Sequence, residues 1–85
     1  MSGGWTEYTC QIDDQAHKAF EEAIASLLGA QYSPVAVASQ VVAGMNYRFF
    51  CNAQVVVPGA VHGAAMVSIF APLDGRPFVT GVASV

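Results

Sequence analysis

Charge is what this chain has least of. Only 11% of its 85 residues are Asp, Glu, Lys or Arg, against roughly 25% in an average soluble domain, and between Glu22 and Asp74 the single formal charge is Arg48. Three cations, Lys18, Arg48 and Arg76, face six acids for a net charge of −3. With no basic patch to neutralise phosphates, nucleic acid is excluded as a partner. Cysteine is scarce too: Cys10 and Cys51 are too few for a disulfide scaffold, and no CxxC is present, so both are read as reduced packing residues or as one bridge. An unbroken apolar run is also lacking. Gln31, Pro34, Gln40 and Asn46 interrupt one uncharged tract, and Asn52, Gln54, Pro58-Gly59 and His62-Gly63 the other, whereas a spanning helix needs about 20 apolar residues in a row. The start, "MSGGWTEYTC", has neither a basic cluster nor an apolar core of the secretory kind. The expected setting is therefore cytoplasmic, without membrane contact.

Apolar residues are abundant, at 54%. A chain this short has room for one domain, 1–85, which buries a little over ~60% of its unfolded surface, so the rest of that apolar content has to lie against something. Residues 13–28, "DDQAHKAFEEAIASLL", carry a helical period, with Ala16, Phe20, Ala23, Ile24, Leu27 and Leu28 on one stripe. Asp13 or Asp14 can cap its start, Gly29 can stop it, and Asp14 to Lys18 is a favourable exposed pair. From Pro34 the period changes to two, through "PVAVASQVV", "MNYRFFCNAQVVV", "GAAMVSIFA" and "PFVTGVASV". Ala43-Gly44, Pro58-Gly59 with His62-Gly63, and Leu73 to Pro77 are the turns between them. Such short connections predict an antiparallel meander.

Alternation assigns the faces. Tyr47, Phe49 and Cys51, with Ala65, Val67 and Ile69, should point to the helix. Ala36, Ala38, Phe50, Met66 and Phe70 should point away from it, with Arg48 as the one charge among them. The expected fold class is α+β, one N-terminal helix packed across a four- to five-stranded antiparallel sheet.

This order of elements, with "QVVAG" at the tip of the first hairpin and "NY" directly after it, resembles the cystatin superfamily, and most closely its small disulfide-free branch, the stefins. Gly3-Gly4 resemble the glycine before the family's helix, Tyr32 to Pro34 the lead into its second strand, and "SIFAPL" and "PFVTG" its second hairpin. The resemblance implies a reversible, competitive, tight-binding inhibitor of papain-like cysteine proteases, which plugs the active-site cleft with a wedge and needs no cofactor or metal. The implied protease-binding residues are Gly3 and Gly4 in the N-terminal arm, Gln40, Val41, Val42, Ala43 and Gly44 in the first hairpin, and Leu73, Asp74 and Gly75 in the second. Uncharged residues suit that task, because Val41, Val42 and Ala43 can bury apolar area at about 25 cal/mol per Å² without desolvating a charge. Gly44 would permit the turn and a close backbone approach to the protease, and Gln40 would supply hydrogen bonds.

The chain departs from the stefin pattern in its arm, where only Met1-Ser2 precede Gly3, and in the second hairpin, where Asp74 stands in the usual place of proline. These bear on affinity and on choice of protease rather than on fold. The apolar outer face implies a homodimer, through that face or by hairpin exchange. An alternative function follows: a non-inhibitory binding or assembly module using that face. An enzyme is not expected, because Cys51 reads as core, His17 lies on the polar helix face and His62 in a loop, so no pair activates a thiolate. The two cysteines and two histidines together lack metal-ligand spacing.

Overall fold

The computed structural model describes residues 4–27, 30–55 and 62–85. One helix, α1 (Asp14–Ile24), precedes four strands, β1 (Ala30–Val42), β2 (Gly44–Val55), β3 (His62–Pro72) and β4 (Phe78–Ser84). The strands form a single antiparallel sheet in the order β1-β2-β3-β4. This is the α+β arrangement expected of a cystatin-like chain. Among the described residues no helix is long and apolar enough to cross a membrane.

Asp13 starts the helix: its Oδ1 accepts from the Ala16 amide at 2.8 Å, filling one of the donors that every helix start leaves open. The apolar stripe buries Ala16, Ala19, Phe20 and Ala23. The helix is shorter than its sequence period, ending at Ile24 rather than running to Leu28. There the Ser26 hydroxyl donates to the Ala23 carbonyl and the Leu27 amide to that of Ile24, so the last turn closes on itself. Leu28 and Gly29, the expected stop, lie outside the described residues. On the polar face the pair that forms is His17 with Glu21, at 2.8 Å, and not Asp14 with Lys18.

The inner face of the sheet matches the alternation residue for residue. Tyr47, Phe49, Cys51, Ala65, Val67 and Ile69 are all buried. Phe20 brings α1 onto this face, its ring meeting that of Phe49 edge-on at 4.8 Å between centroids. β1 begins earlier than expected, at Ala30, and a bulge between Pro34 and Ala36 leaves Val35 out of the ladder. The bulge sits beside the proline, which has no amide hydrogen to give. His62 is the first residue of β3, not part of a loop. The turn expected at Pro58-Gly59 lies outside the described residues.

The chain before the helix also joins the sheet. Trp5 bridges Gln40 and Thr9 bridges Val37, both antiparallel. The Thr6 amide donates to Ser39 and the Thr9 amide to Val37, and the Val37 amide returns a bond to Thr9. Between these points the Thr6 hydroxyl accepts from the Ser39 amide at 2.9 Å, where a regular strand would present a carbonyl. The arm is thus an irregular segment joined to the edge of β1 at two isolated bridges.

That arm alters the outer face. Trp5 lies over the Arg48 guanidinium, 4.2 Å from ring centroid to Cζ, and the Tyr8 hydroxyl donates to Met66 Sδ at 3.6 Å. Ala38, expected to face solvent on this side, is only 2% exposed, between the two β1 residues that the arm bonds. Phe50, Met66 and Phe70 are half-buried, Phe70 against Phe78 with ring centroids 5.8 Å apart. The arm thus covers part of the patch, at Ala38, Arg48 and Met66, and Phe78 of β4 covers Phe70.

Candidate functional site

Three segments far apart in sequence come to one end of the sheet. The β1/β2 ladder runs Gln40 to Asn46, Val41 to Met45 and Val42 to Gly44, leaving Ala43 alone at the tip. Gly44 in turn pairs with Pro72, so the second hairpin, Leu73 to Pro77, leaves the sheet beside the first. On the other side the Trp5–Gln40 bridge brings Gly4 alongside Val41. Gly3 lies outside the described residues. The domain measures 47 × 26 × 21 Å, its length set by strands rising about 3.3 Å per residue, so these segments occupy a narrow end rather than a broad face.

What each contributes is decided by exposure. Val41 is 60% and Leu73 81% exposed, unusual values for large apolar side chains. Gly4, Ala43, Asp74 and Gly75 are exposed, and Val42 is half-buried. Between the two hairpins and Gln15 of α1 runs an open groove of about 390 Å³, walled by Val41, Met45, Pro72 and Leu73. Asp74 is the only formal charge among the expected contact residues.

The other two hairpin residues are committed inside the fold. Gln40 accepts a bond from Asn46 Nδ2 through its Oε1, at 2.9 Å, directly across the ladder. Gly44 is buried and has φ +119°, and a Cβ there would collide with the Ala71 carbonyl oxygen and lie 3.0 Å from the Pro72 Cα. The close backbone approach that the sequence suggests at Gly44 is therefore made to the second hairpin. Gly75 also has a positive φ, +106°, which the second turn requires. Gly4 needs no such freedom: its φ is not positive and a Cβ there meets nothing within 4 Å.

The thiols sit elsewhere. Cys10 is exposed and Cys51 is fully buried on the inner face, where its Sγ donates to the Phe49 carbonyl at 3.6 Å. Burial pushes the Cys51 pKa from 9.0 up to about 11. Burial, followed by the Asp13 carboxylate, also raises that of Tyr47. No group of three or more His, Cys, Asp or Glu among the described residues could hold a metal ion.

The Cys51 shift has a defined consequence. The fold favours the protonated thiol, so its contribution is complete below pH 9 and is lost as pH rises towards 11, where the unfolded chain is already ionised. Tyr47 acts in the same direction. A thiol reagent near neutral pH is expected to label Cys10 in the folded protein and Cys51 only on unfolding. Cys51→Ala should flatten the alkaline decline of the urea midpoint; an equally steep decline would place the titrating group elsewhere.

Comparison of the chain with family models, with curated proteins and with solved structures returned no match.

Proposed function

We propose that this protein is a reversible, competitive inhibitor of papain-like cysteine proteases, related to the stefins, whose contact edge is the narrow end of the sheet. The observation that supports this reading is the convergence of Gly4, the Val41–Ala43 tip and the Leu73–Gly75 turn on one edge with their apolar side chains outward. An apolar wedge enters a cleft by giving up water alone, and its preformed hairpins lose little entropy on docking. The target's thiol is covered and no bond of the inhibitor is cut.

A second reading is a binding or assembly module that keeps this fold without inhibiting anything. It draws support from Gln40 and Gly44, whose identities already serve internal contacts.

Titration of active-site-quantified papain separates the two. The first reading expects stoichiometric, reversible inhibition. Val41→Asp and Leu73→Asp should each weaken it by about 10- to 100-fold, because each would carry a charge into an apolar contact. Both positions are exposed, so folding should be unchanged. Absence of inhibition by the folded chain at high micromolar concentration would leave the second reading.

A further inference from the structure

The two edges of this sheet are finished differently. The β1 edge is held by the chain's own arm along Val37 to Gln40, through the Thr9 and Trp5 bridges. On the other side, β4 ends the strand order, and among the described residues nothing pairs with its outward side. Natural edge strands are commonly guarded by Lys, by inward-pointing charges or by a covering segment. Here Pro77 to Val85 contains no charged residue. Apart from the half-buried Val79, every residue from Phe78 to Val85 is exposed, including Phe78, Val82 and Val85. The one guard present is a bulge in β4, where Thr80 is left out of the ladder between the Ser68–Gly81 and Ile69–Val79 pairs, and the regular stretch is C-terminal to it.

The outward hydrogen-bonding groups can be named. The Val85 amide donates to Ala64 at 3.0 Å, and the ladder pairs Ser84 with Ala65 and Ala83 with Met66. Antiparallel pairs alternate between bonded and non-bonded, so the amides of Ala83 and Val85 face β3 while those of Val82 and Ser84 face out.

We propose that β4 is a docking edge for a second copy of this chain, joined antiparallel, β4 to β4, about a two-fold axis. Charge permits it: the acids are Glu7 in the arm, Asp13, Asp14, Glu21 and Glu22 at the helix, and Asp74 in a turn, so two copies of this acidic chain meet along β4 with no acidic side chain opposed. Topology limits it. A two-fold contact uses the same edge of both copies, so pairing through β4 closes at a dimer instead of growing into a fibre. A short strand pair falls below the ~1,200 Å² of a standard stable interface, so the dimer is weak and concentration-dependent. This surface is neither the outer face nor the first hairpin, and it leaves the proposed inhibitory edge free.

Sedimentation or light scattering from low micromolar to millimolar concentration should show the mass rising towards twice the monomer and no further. Amide exchange should slow with concentration at Val82 and Ser84 but not at Ala83 or Val85. Ser84→Pro removes one outward amide and leaves the β3 ladder bonds in place, and Ala83→Lys adds a charge to the edge. Each should keep the chain monomeric with its circular dichroism unchanged. A wild-type monomer throughout the range, a dimer that neither variant disturbs, or growth beyond the dimer would overturn the proposal.

Discussion

Gly44→Ala is expected to lower the free energy of unfolding by about 3 kcal/mol or more, read as a fall in the urea midpoint. Two terms add. A non-glycine residue held at φ +119° costs on the order of 1–3 kcal/mol. The new methyl would also press on the Ala71 carbonyl and the Pro72 Cα. Both are backbone atoms and cannot rotate away, so the neighbouring strands have to separate. Gly81→Ala is the matched control, since its φ is not positive and its Cβ would meet nothing within 4 Å; it should be neutral or stabilising by about 0.4–1 kcal/mol. Equal effects at both positions would mean that the two hairpins do not meet as described. The result also governs how inhibition data are read. A bulky residue at Gly44 would abolish any inhibition by opening the hairpin, which says nothing about contact with a protease, whereas Val41 and Leu73 report the proposed contact edge itself.

Period-two alternation made the sheet legible because β2 and β3 are central strands with one covered face, so a register slip would turn Phe49 and Ile69 into solvent. The features that sequence spacing did not disclose depend on neighbours distant in the chain. The helix stops at Ile24 although its apolar stripe continues to Leu28, because Ser26 and Leu27 bond back onto the last turn. The start of β1 before Pro34 was hidden by a proline that an edge strand with a bulge accommodates. The covering of the outer face was illegible for the same reason: Trp5 and Arg48 are 43 positions apart, and nothing in either local pattern announces a contact. At the candidate site, the resemblance to the cystatin superfamily implied that the hairpins and the arm share an end. Which hairpin residues look outward depended on the Gly44–Pro72 pairing: Gly44 and Gln40 make contacts inside the fold, while Val41 and Leu73 stand out.

Phe49→Ala should cost about 3–5 kcal/mol, the usual range for removing a buried aromatic ring. Phe49 is fully buried and touches both layers, with Phe20 of the helix at 4.8 Å and Tyr47 of its own strand at 5.7 Å between ring centroids. At roughly 0.05–0.15 kcal/mol per residue, 85 residues give about 4–13 kcal/mol in all, so the variant is expected to lose a large share of its stability and to unfold at much lower urea, with the helix released from the sheet. Phe50, the next residue, faces the other way and is only half-buried. Truncating it should cost about 1–2 kcal/mol, in proportion to the smaller area it removes from water. The contrast measures how far the outer face is covered. If Phe50→Ala proved as costly as Phe49→Ala, the arm carrying Trp5 and Tyr8 would be an insufficient cover, and a second molecule on that face would have to supply the missing burial. A small cost at Phe50 means that the arm, β4 and solvent account for the outer face, which then needs no second molecule.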